Sequence, residues 1–271
     1  MVISVKHKKI LPYLQLLLFV IIIVIVQFKQ FTIAFTLLLA CILYLAIFAK
    51  QKRVFLWGLA AYSIGYLFYL FGDRFIDSLP YHVNILMVLS RCLLLFPIVI
   101  MFYVARKFGE KSVLYWSRPD WQAKITFPFI WDGFHSISIK GFLLIAISIN
   151  IAIFTPFILK TNPSMSLHLL LFLLFFSIIN GLLEEILWRG IILTSMVNLA
   201  GEKAALLFSG IAFGLSHLIL GYSILTCFGF AIGGFFYAGI TIRSGSLFPA
   251  VIWHIVFNCL MILSGLIPFI E

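Results

Sequence analysis

The chain has 271 residues, of which 63% are hydrophobic, 17% aromatic and only 10% charged. Soluble globular proteins carry roughly 25% charged residues, so this composition excludes a soluble domain and predicts an integral membrane protein. The formal net charge of +10 arises from short basic clusters between apolar runs, which favours anionic lipid headgroups over nucleic acid as their partner.

Apolar stretches recur along the whole chain, and about 20 such residues suffice for a helix to cross a bilayer. We therefore expect an all-α, polytopic membrane helical bundle with about eight or nine transmembrane helices. The first apolar run follows basic residues, as in a signal peptide, but it is longer than a signal core and we expect it to be retained. The expected spans are residues 11–28, 31–49, 54–71, 84–105, 141–159, 166–199, 203–220, 223–242 and 246–267.

Two domains are predicted along the chain. Residues 1–140 supply N-terminal transmembrane helices and an interfacial loop, and residues 141–271 form the core that carries the chemistry. The loop, residues 106–140, is the longest polar stretch. Its tryptophans are expected to act as anchors at the membrane interface, where aromatic rings concentrate; they are Trp116, Trp121 and Trp131.

The distribution of Lys and Arg between the two sides of the spans predicts the orientation of the chain. Fourteen lie on one side: Lys6, Lys8, Lys9, Lys50, Lys52, Arg53, Arg106, Lys107, Lys111, Arg118, Lys124, Lys140, Lys203 and Arg243. Three lie on the other: Lys29, Arg74 and Lys160. We therefore expect a plasma-membrane protein with a cytoplasmic N-terminus.

Two adjacent carboxylates, Glu184 and Glu185, lie in otherwise apolar sequence. A carboxylate in hydrocarbon costs several kcal/mol, so each is expected to have a partner or a function. Arg189 is four residues after Glu185, the favourable spacing for an ion pair along a helix, and five after Glu184. We predict that Glu185 and Arg189 form a structural pair and that Glu184 is the reactive group. A purely structural triad is the alternative.

A polar stripe leads to the first carboxylate. Ser177, Asn180 and Glu184 recur at i, i+3 and i+7, which places them on one helix face. Such a stripe is typical of a wet cavity, but it also occurs where one helix hydrogen-bonds a neighbour, and the sequence leaves both open for Ser177 and Asn180.

A histidine on the next predicted helix has the same depth as this carboxylate. Glu184 lies 17 residues before an expected turn at Gly201, and His217 lies 16 residues after it. In an antiparallel pair both are then about 24 Å from the turn, at 1.5 Å per residue, and can meet.

The last predicted span carries two more polar groups. His254 and Asn258 are four residues apart and therefore share a face. Ser246 and Pro249 predict the start of this helix, since serine caps helices and a proline in the first turn lacks only an unneeded amide hydrogen.

Two pairs of glycines with GxxxG spacing predict close helix approach. Gly210 and Gly214 would let the helix of His217 reach Glu184, and Gly229 and Gly233 offer a second seam on the following span.

Together these motifs resemble the CPBP family of intramembrane proteases, which includes CAAX prenyl proteases and bacteriocin-processing and immunity proteins. The resemblance covers roughly residues 180–260 and rests on Glu184-Glu185-xxx-Arg189, Phe213-xxx-His217 and His254-xxx-Asn258. It implies peptide-bond hydrolysis within the membrane. The residue matching Glu184 would activate water with help from His217, and those matching His254 and Asn258 would stabilise the oxyanion.

This mechanism requires no cofactor, but zinc is an alternative. Glu184, His217 and His254 match a known set of catalytic zinc ligands, with water in the fourth position. The metal-free mechanism is favoured because the chain has no HExxH motif and the two histidines are 37 residues apart.

The expected partner is a peptide or membrane-protein substrate, either CAAX-like or of the leader or bacteriocin type. A non-enzymatic alternative is a membrane scaffold or bacteriocin immunity protein that uses the same polar core to bind its partner. A transporter would instead string ionisable residues across the membrane.

Overall fold

The computed structural model describes residues 2–28, 30–48, 54–111 and 114–270. Four of the basic residues in the orientation prediction lie outside these ranges: Lys29, Lys50, Lys52 and Arg53. The helices are α1 (Val2–Gln27), α2 (Phe31–Phe48), α3 (Val54–Asp77), α4 (Val83–Cys92), α5 (Leu95–Lys107), α6 (Ile139–Thr161), α7 (Leu167–Glu185), α8 (Leu193–Ala200), α9 (Glu202–Leu215), α10 (Ile224–Ser244) and α11 (Phe248–Leu263). Two strands, β1 (Lys124–Pro128) and β2 (Gly133–Ser138), precede α6.

The predicted all-α membrane bundle is confirmed. Within the described ranges, six helical stretches are long and apolar enough to cross a membrane: Val54–Asp77, Val83–Lys107, Ile139–Thr161, Leu167–Ala200, Glu202–Leu220 and Ile224–Ser244. Three shorter apolar helices fall on the remaining predicted spans, at Ile10–Val26, Thr32–Leu43 and Phe248–Leu263. The chain is therefore an integral membrane protein, as its composition predicts.

The chain forms two compact units that interleave along the sequence. The first comprises Met1–Tyr66, Pro97–Leu114 and Trp188–Gly239, and the second comprises Leu67–Phe96, Tyr115–Leu187 and Ile240–Glu271. The predicted division at residue 140 stays a prediction.

In the first unit, α1 packs against α8 and α9. Its core includes the buried rings of Phe19, Tyr62 and Trp188, with Tyr62 in ring contact with both of the others. Gly65 lets α3 touch α5, because a Cβ there would lie 2.3 Å from the Cα of Pro97. A side chain on this glycine would force the two helices apart.

In the second unit, α7 packs against both α4 and α11, and α11 also packs against α6. The indole of Trp253 on α11 donates to Oδ1 of Asn150 on α6 at 2.6 Å. α7 and α11 are antiparallel, since residue numbers fall on one helix as they rise on the other along their contacts: Glu185 with His254, Gly181 with Ile255, and Ser177 with Cys259.

The N-terminal end of α11 is tied to the segment that precedes the strands. The amide of Leu247 donates to the carbonyl of Tyr115 at 3.0 Å. The hydroxyl of Ser246 donates to the carbonyl of Ser117 at 2.6 Å, and that of Ser117 donates to the carbonyl of Gly245 at 2.5 Å. These bonds hold the turn between α10 and α11 against residues 115–117.

The predicted start of α11 is close to the observed one. Pro249 lies in the first turn, as expected. Ser246 lies two residues before Phe248, the first helical residue, and its hydroxyl accepts from the amide of Phe248 at 3.2 Å. The serine therefore satisfies one amide at the helix start while its own hydroxyl hydrogen is used on Ser117.

The C-terminal end of α11 is also held. Thr161, which ends α6, donates its hydroxyl to the carbonyl of Ser264 at 3.1 Å. Farther along, the side-chain amide of Asn84 on α4 donates to the carbonyl of Ile270 at 2.7 Å and accepts from its amide at 3.2 Å.

The prediction of a loop over residues 106–140 is wrong in one respect, because β1 and β2 pair there as an antiparallel hairpin. The reason is local: Ile125 is buried while its neighbour Lys124 is exposed, and β2 carries Phe134 and Ile137 in a short extended run. Trp121 and Trp131 are half-buried, and the most exposed aromatic ring of the segment belongs to Phe134. The two strands have only five and six residues, so they do not stand out in a sequence dominated by apolar runs of bilayer length.

Candidate active site

The two adjacent glutamates end the regular part of a long helix. α7 ends at Glu185 and continues as a π-helical segment, Ile186–Ile192, into α8. The expected span at residues 166–199 thus changes its helix type immediately after the carboxylates. Single π-helical turns within α-helices are frequent at functional sites.

The imidazole of His254 lies between the two carboxylates. Its Nδ1 is 2.7 Å from Oε1 of Glu185, and its Nε2 is 3.6 Å from Oε2 of Glu184. Glu185 is fully buried, whereas 13% of the Glu184 side chain is exposed. The two glutamates therefore have different surroundings: Glu184 is the more exposed side chain, although its Oε2 is itself a buried atom without a hydrogen-bond partner in the described residues.

These two distances define different interactions. A carboxylate only accepts hydrogen bonds, so the 2.7 Å contact requires the proton on Nδ1 of His254. The 3.6 Å contact is longer than a hydrogen bond. Nε2 of His254 and Oε2 of Glu184 are thus close enough for one reacting group or water molecule to contact both atoms.

A glycine permits this close arrangement of α7 and α11. A Cβ on Gly181 would lie 2.9 Å from Cγ1 and 3.2 Å from the backbone nitrogen of Ile255, the neighbour of His254. Only glycine fits without displacing α11. Sequence reasoning missed Gly181, although its position three residues before Glu184 in an otherwise bulky helix was a usable signal.

The polar stripe on α7 contacts α11. The thiol of Cys259 donates to the hydroxyl of Ser177 at 3.3 Å, so for Ser177 the structure shows the helix-to-helix contact that the sequence left open. Asn258 is 3% exposed. Among the described residues, its side-chain Nδ2 is a buried donor with no hydrogen-bond partner.

His217 belongs to the first compact unit and lies just beyond the end of α9. Its Nδ1 is 2.8 Å from the carbonyl oxygen of Phe213, and its ring stacks on Phe230 with centroids 4.3 Å apart. Because a carbonyl only accepts, Nδ1 of His217 carries a proton. The predicted meeting of His217 with Glu184, which belongs to the second unit, stays a prediction.

Arg189 lies between two aromatic rings in the first unit. Its guanidinium carbon is 4.3 Å from the ring centroid of Phe213 and 5.0 Å from that of Tyr237. It also donates to the carbonyl of Gly234 at 3.3 Å. The predicted ion pair with Glu185 stays a prediction, whereas these cation–π contacts were not predicted from the sequence.

The helix contacts predicted for the two glycine pairs differ from those in the structure. A Cβ on Gly214 would lie 2.4 Å from the carbonyl oxygen of Cys227, so this glycine serves contact with α10 within the first unit. A Cβ on Gly229 or Gly233 would meet nothing within 4 Å, and Gly234 is the residue of α10 that faces Gly210. Spacing alone identifies a helix face with small residues but not the direction in which that face points.

The described residues include no group of three or more His, Cys, Asp or Glu side chains placed to hold a metal ion. Glu184 and His254 are close enough to share a ligand, but a catalytic zinc site ordinarily needs three protein ligands. The zinc alternative with His217 therefore stays a hypothesis.

Comparison with known proteins identifies one family. Residues 166–260 match the family model described as type II CAAX prenyl endopeptidase, Rce1-like. This match confirms the resemblance to CPBP proteases for the part of the chain that contains all three motifs. No match was found among curated proteins or among solved structures.

Proposed function

We propose that this membrane protein, whose residues 166–260 match the family model of Rce1-like type II CAAX prenyl endopeptidases, cleaves a membrane-associated peptide with water activated by Glu184. His254 and Asn258 stabilise the oxyanion, and His217 assists Glu184. The family supports a CAAX-type intramembrane endopeptidase in general. A leader or bacteriocin-type peptide is the alternative substrate class.

The observation that carries the proposal is the position of His254 between two carboxylates of unequal exposure. The buried carboxylate of Glu185 fixes the ring through Nδ1. The more exposed carboxylate of Glu184 faces the opposite nitrogen and can receive a proton from a water molecule. A general base must lie within reach of the reacting group, and the 3.6 Å separation of Oε2 of Glu184 from Nε2 of His254, one proposed oxyanion donor, supports that role.

The proposed reaction balances with the groups of this site. Glu184 takes a proton from water, and the hydroxide oxygen bonds to the substrate carbonyl carbon. The oxyanion accepts hydrogen bonds from Nε2–H of His254 and Nδ2–H of Asn258. When the carbon–nitrogen bond breaks, Glu184 returns its proton to the leaving amine. Donors aimed at the developing charge supply the largest single contribution in such sites.

The role of His254 determines the role of Glu185. Nδ1 already carries a proton because it donates to Glu185. Donation from Nε2 as well therefore requires the imidazolium form, and the Glu185 carboxylate balances its charge. His217 assists in a different way: its Nδ1 is used on the carbonyl of Phe213, so it acts on the attacking water through Nε2.

Cleavage can be tested without knowing the substrate. Peptides released from membranes that carry the wild type are compared with those from Glu184→Gln and from Glu202→Gln, a matched change at the exposed first turn of α9. We expect specific products with the wild type and with Glu202→Gln but not with Glu184→Gln. Identical peptides from all three would reject hydrolysis and favour the scaffold or immunity alternative.

A further inference from the structure

The antiparallel register of α7 and α11 brings two side-chain amides to nearly the same depth, about two residues or 3 Å apart along the helix axes. The Glu184–His254 contact lies on one side of this level and the Ser177–Cys259 contact on the other. Asn180 is four residues before Glu184, and Asn258 is four residues after His254. Each therefore lies about 6 Å along its helix from the carboxylate and imidazole, at 1.5 Å per residue.

Both amides are buried and have unused hydrogen-bonding capacity. Asn180 is 5% exposed and Asn258 is 3% exposed. Within the described ranges, Oδ1 of Asn180 and Nδ2 of Asn258 are buried atoms without a hydrogen-bond partner. A buried polar atom without a hydrogen-bond partner costs stability, and native proteins rarely retain such atoms without a function.

The two groups are complementary to one peptide unit. Oδ1 of Asn180 is an acceptor and Nδ2 of Asn258 is a donor. The N–H and C=O of a trans peptide bond point to opposite sides, so one peptide unit can donate to the first and accept from the second.

We infer that Asn180 binds the N–H of the scissile peptide unit while Asn258 binds its C=O. This inference rests on the proposed function and adds a substrate-binding residue to it. The site then requires a secondary amide at the cleaved bond. A substrate with proline immediately after that bond lacks the N–H and is rejected, because the oxygen of Asn180 would be left buried and unpaired.

The first test needs no substrate. Asn180→Leu replaces a buried amide by an apolar group of similar size, and Ser177→Ala is the control one turn away, where the hydroxyl already bonds to Cys259. In thermal unfolding of the purified full chain we expect an unchanged or raised Tm for Asn180→Leu. Ser177→Ala is expected to lower it. A lowered Tm for Asn180→Leu would show a structural amide and overturn the inference.

The second test uses two probes: a farnesylated peptide ending in a CAAX motif, and its analogue with an ester in place of the scissile amide. Asn180→Leu is expected to lower kcat/KM on the amide by about tenfold to a hundredfold. On the ester, which has no N–H at that position, wild type and variant are expected to be equal. Equal loss on both probes, or no loss on either, would overturn the role of Asn180.

Failure of the proposed proteolysis and failure of the proposed role of Asn180 give different results in this test. If the wild type cleaves neither probe, CAAX-type proteolysis is contradicted and the role of Asn180 in it falls too. If the wild type cleaves the amide probe and Ser177→Ala has the same kcat/KM, the proposed proteolysis stands. The role of Asn180 is then decided by whether Asn180→Leu loses kcat/KM on the amide probe but not on the ester.

Discussion

Nδ1 of His254 donates to Oε1 of Glu185 at 2.7 Å, whereas the sequence spacing predicts Arg189 as the partner of Glu185. The second glutamate of the motif therefore contacts the proposed oxyanion donor directly. Its carboxylate holds the ring through Nδ1, so that Nε2 faces Glu184.

Glu185→Gln tests this relationship. The amide oxygen of Gln can still accept from Nδ1, but it cannot balance an imidazolium charge. We expect kcat to fall by about tenfold to a hundredfold with little change in KM, as for other residues that orient a functional histidine. Steady-state kinetics on the CAAX peptide would measure this, with Glu202→Gln as control. An unchanged kcat would contradict the charge-balancing role.

Gly181→Ala tests the close approach of α7 and α11. The new methyl group would press on Ile255, so we expect a loss of about 1–3 kcal/mol in the free energy of unfolding, as for overpacked cores, together with reduced cleavage. Gly229→Ala is the control, because a Cβ there meets nothing within 4 Å. It should be neutral or stabilising in a helix.

A compensating change sharpens the test at Gly181. Adding Ile255→Ala to Gly181→Ala removes the side chain that the methyl group meets, though the backbone nitrogen of residue 255 remains close. Thermal unfolding of both single variants and the double variant gives the coupling between them. Strictly additive losses would indicate that the two positions do not press on each other.

Arg189→Lys tests the contact of the guanidinium with two rings. A planar guanidinium stacks on aromatic faces, whereas an ammonium ion does so poorly and is more strongly hydrated. We expect a loss of about 1–2 kcal/mol in the free energy of unfolding. Arg106→Lys is the control, since Arg106 is exposed and lies 5.8 Å from a single ring, that of Phe102. Equal effects of the two changes would contradict a special role for the paired rings.

Chelation tests the metal-free mechanism. We expect cleavage of the CAAX peptide to survive exhaustive treatment with a strong zinc chelator, because no proposed step uses a metal. Elemental analysis of the treated, active enzyme should give less than one zinc per chain. Loss of activity that added zinc restores would instead support Glu184, His217 and His254 as ligands.

Much of the fold was predictable because a segment that crosses the membrane must be apolar, long enough and helical. Every expected span coincides with an apolar helix, and the antiparallel pair of α8 and α9 turns at Gly201 as expected. The motif spacing also placed His254 and Asn258 on one helix. These features depend on hydropathy and on helical periodicity, which a sequence records directly.

Rotation about the helix axis was not predictable in the same way. Glu184 and Glu185 differ by about 100° around α7, so which of them contacts His254 depends on packing against α11. The contact of Gly181 with Ile255 has the same origin. The hairpin of β1 and β2 was missed for another reason, since its strands are far shorter than the apolar runs that identify a membrane protein.

The hydrogen bonds at both ends of α11 have a consequence for the reaction. Residues 115–117 hold one end of this helix and Thr161 holds the other, so the helix that presents His254 and Asn258 is braced against sliding along its axis. Its two donors are then preorganised, and little reorganisation of the protein is required as negative charge develops on the substrate oxygen. A peptide that binds here must therefore adjust its own backbone to the fixed spacing of these two donors on α11.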